Sequence, residues 1–187
     1  MNICIPVVRR IVITRFRDHD AGKSMSRKDL LIAPLCEGGL ILLVSLVAWF
    51  SHKPIIFASL GPTAYELIEQ PHRSSARPYN VIVGHLVAVL AGLTALYITH
   101  AWTVPAVSVS SVPLLRVWAA ALAASLTVFA TLATRATQPA ALSTTLVVSL
   151  GAMQRWQDGA LIMLAILLMA GIGEPLRLWR KRVIQPK

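Results

Sequence analysis

The chain has 187 residues, 56% of them hydrophobic and 14% charged, whereas about a quarter of the residues in a soluble domain are charged. This excludes a water-soluble globule, and the length leaves no second soluble core once several membrane helices are counted. The formal net charge is +10, but Lys and Arg sit at the two ends and in short loops, not along a stripe with exposed aromatics. That distribution points to membrane orientation and away from a nucleic-acid partner.

Residues 1–29 alternate short aliphatic runs with arginine and lack a small-residue cleavage pattern, so they read as a basic cytoplasmic tail touching the lipid surface. Cys4 and Cys36 lie in that tail and in an apolar segment, poor material for a disulfide framework. Residues 30–50 supply the ~20 apolar residues of a full span, with Trp49 in an aromatic belt and Glu37 near the wet interface. Residues 54–69 are apolar but short and interrupted by Gly61 and Pro62. Residues 71–80, PHRSSARPYN, are a loop by composition. Glu66 and Glu69, just before it, are expected to pair with Arg73 and Arg77 at the interface.

A second full span covers 81–99, with Gly84 and Gly92 as small packing residues and His85 about one turn from its start. The chargeless stretch 103–113 suits the non-cytoplasmic side, and 114–131 is a third span. Residues 138–153 form another short apolar segment, opened by Pro139 and containing Ser143, Thr144 and Thr145. Residues 159–173 form the last span, and Arg177, Arg180, Lys181, Arg182 and Lys187 make 177–187 a basic cytoplasmic tail.

The expected fold is an all-α polytopic membrane bundle with four full spans and two short broken or re-entrant helices. The order is long, short, long, repeated once, with SLGPTA in the first short segment and ALSTT in the second. Three crossings per half would make the halves inverted, as in transporter folds that bind substrate at broken helices near the midplane. With both termini cytoplasmic, the 71–80 loop and Arg135 lie inside, and only Lys53, Arg116 and Arg155 fall near outside turns.

The stretch FASLGPTAYELIEQPHRSSARPYNVIVGHLVAVLAG resembles the HPP family of bacterial and plastid membrane proteins. The matching positions are Ser59, Gly61, Thr63 and Ala64, then Pro71, Ala76, Pro78 and Asn80, then Gly84 and His85. The family's His-Pro-Pro sequence, followed by Ala-Gly-Ala-Thr-Ala, corresponds here to Gln138, Pro139, Ala140, Ala141, Leu142, Ser143, Thr144 and Thr145. The first proline, the alanine after the pair and the threonine are kept, and the histidine is not. The resemblance covers about 30–182 and implies a compact domain of four spans with additional short helices. For some plastid and cyanobacterial members it also implies nitrite transport.

Amides at the start of a protein-embedded helix can bind anions, and hydroxyls add donors without burying a charge. The candidate substrate-binding residues are therefore Ser59, Gly61, Thr63, Asn80, His85, Gln138, Ser143, Thr144 and Thr145. Tight helix packing by small residues is the competing explanation for them. His85 reads either as a proton relay or ligand, or as a ring hydrogen-bonded to the Asn80 loop or nearby backbone, the second being the plainer assignment. No nucleophile elbow, phosphate loop or metal-ligand spacing is present, so neither enzyme activity, cofactor nor metal is expected. The expected partners are the lipid bilayer and a small inorganic anion such as nitrite, with a homo-oligomer left open. The location read from the charges is a bacterial inner membrane, and a non-transporting structural or regulatory subunit is the alternative function.

Overall fold

The computed structural model describes residues 27–52, 57–109 and 111–183. Among these residues every regular element is helical: α1 (Arg27–Ser51), α2 (Leu60–Glu69), α3 (Pro78–Ile98), α4 (Leu114–Ala133), α5 (Ala141–Ser149) and α6 (Trp156–Val183). Single 3-10 turns occupy Ser74–Ala76 and Ala101–Thr103. The long helices α1, α3, α4 and α6 are apolar and long enough to cross a bilayer. Helix α2 has 10 residues and α5 has 9, so each is about 15 Å or less in length, half a hydrocarbon core.

The chain divides into two units after Pro34. In the first, the described residues are the opening turns of α1. In the second, from Leu35 onward, α3 packs against α4, α5 and α6, while α2 packs on α6. Two glycines set the approach of α5 to α3. A Cβ on Gly84 would stand 2.7 Å from Gln138 Cβ, and one on Gly92 would stand 2.8 Å from Val148 Cβ, so only a bare backbone admits these neighbours.

From Leu40 onward α1 buries one stripe, Leu40, Val44 and Ala48, and turns Leu42, Trp49 and Phe50 outward. Trp118 and Phe129 on α4 and Leu164 and Leu167 on α6 are likewise exposed. Large side chains turned outward on helices of this length are what a lipid-facing surface requires.

The ends of the bundle are distinguishable. At one, α3 and α4 are joined through His100, whose φ of 54° terminates α3, and Trp156 at the start of α6 stacks on Tyr97 with ring centroids 6.3 Å apart. At the other, the 71–80 loop meets the end of α4 and the end of α6. There α4 closes with Arg135 at φ 55°, Arg135 N–H on Leu132 O and Ala136 N–H on Thr131 O, the Schellman arrangement that usually recruits glycine.

Within the basic C-terminal stretch, α6 continues to Val183, and Arg177 and Arg180 are buried. Arg116, expected near an outside turn, does lie against the 101–113 connection, with its side chain fully buried. Glu69 pairs with Arg180 at 3.3 Å, and Arg177 makes its ion pair with Glu174 at 2.6 Å, so the Glu66–Glu69 cluster does not close on Arg73 and Arg77 as a simple interfacial pair. The tail 1–26, with Cys4, and residues 53–56, which open the first short segment, lie outside the described residues.

Candidate functional site

Helix α2 is amphipathic in polarity as well as in shape. Ser59 at its N-cap, Thr63 and Glu66 follow at i, i+4 and i+7, so they lie along one face, and all three are buried. On α3 the corresponding inward face carries Gly84, His85, Ala88 and Gly92, and on α5 it carries Ala141, Thr144, Thr145 and Val148. Where these faces meet, Ser59, Thr63, His85 and Thr144 are each 0% exposed.

The four side chains form a run of hydrogen bonds that closes into a ring through the Ser59 main-chain carbonyl. Thr63 Oγ1 lies 2.8 Å from Ser59 O, which can only accept, so the Thr63 hydroxyl hydrogen is committed there. The 3.0 Å contact between Thr63 Oγ1 and His85 Nε2 must then be an Nε2–H donating to the hydroxyl oxygen. With the proton of a neutral ring on Nε2, Nδ1 accepts from Thr144 Oγ1 at 2.7 Å. Thr144 has now spent its hydrogen, so Ser59 Oγ–H donates to Thr144 Oγ1 across 2.7 Å. The direction runs from Ser59 through Thr144, His85 and Thr63 back to Ser59 O, and each donor feeds the next acceptor. His85 is thus held by α2 and α5, not by the Asn80 loop.

His85 stands seven residues into the 21-residue α3, about 10 Å from its start. The ring therefore sits inside the bundle and away from either end. A second hydroxyl pair lies beside it, Thr127 Oγ1 of α4 and Thr145 Oγ1 of α5 at 2.8 Å.

The remaining sequence-derived candidates occupy other places. A Cβ on Gly61 would meet nothing within 4 Å, so open space adjoins the first turn of α2. Asn80 Nδ2 donates to Ser74 O at 2.6 Å and holds the loop turn. Ser143 is half-buried and outside the ring. Gln138 rests on Gly84 and is buried. Glu66 is directed toward Gln138 and Ser75, with the Arg73 charge nearby, yet Glu66 Oε2 and both amide atoms of Gln138 are buried without forming a hydrogen bond among the described residues.

The helix starts offer fewer amides than the sequence suggests. At α5, the N–H groups of Ala141, Leu142 and Ser143 donate to Gln138 O, Pro139 O and Ala140 O. At α2, Leu60 N–H donates to Phe57 O and Thr63 N–H to Ser59 O. Pro62 has no N–H to offer.

Each short helix also ends on a buried arginine, a feature the sequence reading missed. Arg116 donates from Nη1 to Ser149 O at 3.2 Å, from Nη2 to Val104 O and Gln154 Oε1 at 2.7 Å each, and from Nε to Pro105 O at 3.4 Å. Arg180 donates from Nε to Ile68 O at 3.3 Å, and Arg177 from Nη1 to Pro71 O at 2.8 Å. Both arrangements place a cation on the carbonyls left over at a helix C-terminus, where the dipole is negative. Gly151, at φ 90°, lies so close to Arg116 that a Cβ would stand 2.6 Å from the guanidinium carbon. Neither that φ nor the contact, made across 35 positions of the chain, is visible in the sequence.

Among the described residues, no group of three or more His, Cys, Asp or Glu side chains is arranged to hold a metal ion. In comparisons with known proteins, a family model described as HPP, transmembrane region, matches residues 23–174. No curated protein and no solved structure matches. The match covers most of the chain and includes α2, α3 and α5 with the ring they build: the chain belongs to the HPP family of transmembrane proteins.

Proposed function

We propose that this membrane protein passes a small inorganic anion, nitrite being the first candidate, through the point where α2 and α5 meet. The observation that carries the reading is the ring itself. Three helices bring three hydroxyls and an imidazole together at 2.7–3.0 Å, without a charged side chain among them. Hydroxyl donors of this kind substitute for the hydration of a monovalent anion without the desolvation of a buried cation. Passage requires the ring to open, since each hydroxyl hydrogen in it is already donated. The observed arrangement is therefore the closed one.

Charge distribution supports the orientation. Arg73, Arg77, Arg135, Lys181 and Arg182 lie at the end with the 71–80 loop, and Arg155 lies at the other. By the positive-inside rule the 71–80 end is cytoplasmic, consistent with a bacterial inner membrane, and its arginines concentrate anions at that mouth. No catalytic role is assigned.

A second reading has its own observation. A ring whose donors are all satisfied internally also serves as a tie between helices, as a non-transporting subunit would need. Reconstitution in liposomes separates the two. Nitrite, nitrate and chloride entry is followed against empty vesicles, with Thr63→Leu as the comparison. Flux of one anion that the variant loses while staying folded supports transport. Equal flux in the variant, or no flux from the wild-type protein, overturns the proposed site.

A further inference from the structure

The ring contains one group that can change its charge, and the consequence follows from donor counting. In the observed arrangement His85 Nε2–H donates to Thr63, Nδ1 accepts from Thr144, and Ser59 Oγ–H donates to Thr144. Adding a proton to Nδ1 makes that atom a donor, so Thr144 Oγ1 must receive it. The Thr144 hydroxyl hydrogen then has Ser59 Oγ as its acceptor in the ring. The 2.7 Å Ser59–Thr144 bond reverses, and the Ser59 hydroxyl hydrogen is released. Thr63 is untouched, because Nε2–H and Ser59 O keep their roles.

We propose that the anion site takes a second ligand, a proton on His85 Nδ1, and that proton and anion enter together, the anion accepting from the freed Ser59 hydroxyl. This rests on the transport reading above and specifies its coupling. The charges balance: a proton is added to the imidazole, one negative charge arrives beside it, and both leave together. Either charge alone would stand unpaired inside the bundle, which is unfavourable, whereas the pair is neutral.

The surroundings leave the role to His85. Helix α5 presents the hydroxyls of Thr144 and Thr145 and, before its first turn, the neutral Gln138; α4 presents Thr127 and Thr131. Along its buried middle, α6 presents Ile162, Ala165, Ile166 and Met169, none of which titrates. On α2 the titratable group on the same face is Glu66, about one turn beyond Thr63.

The test uses the full chain in nanodiscs and liposomes with nitrate and chloride, which do not titrate near neutral pH, beside nitrite. Anion binding to the wild-type protein in weak buffer should take up about one proton per anion, and affinity should rise about tenfold for each unit fall in pH. His85→Gln, which can still donate and accept, should lose both effects. Ser59→Ala leaves the His85 contacts to Thr63 and Thr144 in place and should weaken binding about tenfold or more through loss of one donor to an anion. Binding or flux without proton uptake, or the same uptake in His85→Gln, overturns the coupling and leaves anion transport standing. Absence of both flux and binding overturns the transport reading and the coupling with it.

Discussion

Ser59 Oγ and Thr144 Oγ1 lie 2.7 Å apart and fully buried, although 85 positions separate them in the chain. This bond joins the two short helices directly, and a measurable coupling follows. Thr144→Val keeps the shape but leaves Ser59 Oγ and His85 Nδ1 without partners, so it should destabilise by about 1–3 kcal/mol. Ser59→Ala should cost less, because it removes one donor. The double variant should fall short of the sum by at least about 0.5 kcal/mol, as read by unfolding in detergent; strict additivity would mean the bond does not form.

Gly151 gives a sharper case. Its φ of 90° and the guanidinium within 3 Å of any added Cβ mean that Gly151→Ala incurs both backbone strain and displacement of Arg116. A loss of about 2–4 kcal/mol is expected. A silent Gly151→Ala in thermal unfolding would refute the described seat of Arg116.

Arg116 itself should be poorly replaced by lysine. Its donors reach three backbone carbonyls and Gln154 Oε1 in different directions, a fork that a single ammonium cannot reproduce. Arg116→Lys should therefore lose about 1–3 kcal/mol, most of it from carbonyls left unpaired. The readout is the midpoint of thermal unfolding; a midpoint matching wild type would count against the cage.

Gln138 makes the opposite prediction. Both amide atoms are buried and unbonded among the described residues, and a buried amide without partners is unfavourable. Gln138→Leu should leave stability unchanged or raise it by about 1 kcal/mol. If flux falls in the same variant, the amide acts in conduction and not in holding the fold; a clear loss of stability would instead show that water or Glu66 satisfies it.

Much of this architecture was readable before any coordinates. Long apolar runs identify α1, α3, α4 and α6 because span length is a property of composition, and α2 and α5 stand out as apolar runs too short for a span, each with a small, hydroxylated stretch. Ser59, Thr63, His85 and Thr144 were all named from the chain alone. The same reasoning put Asn80 and Ser143 beside them, and here it lacked the helix phase: Ser143 is one position, about 100°, from Thr144, and Asn80 turns back to Ser74 O. The arginines were misread for a different reason. A basic residue at the end of an apolar run looks the same whether it meets water or a carbonyl, and the carbonyls that hold Arg116 and Arg180 come from segments 11 to 112 positions away.

Ser59 both opens and closes the hydrogen-bonded ring, through its hydroxyl to Thr144 and its carbonyl from Thr63. A displacement of that one residue breaks continuity with α5 and loosens the Thr63 hydroxyl that receives His85. The bonds cannot be surrendered one at a time by a gradual slide of α2. The junction therefore holds or releases as a unit, a latch with two settings.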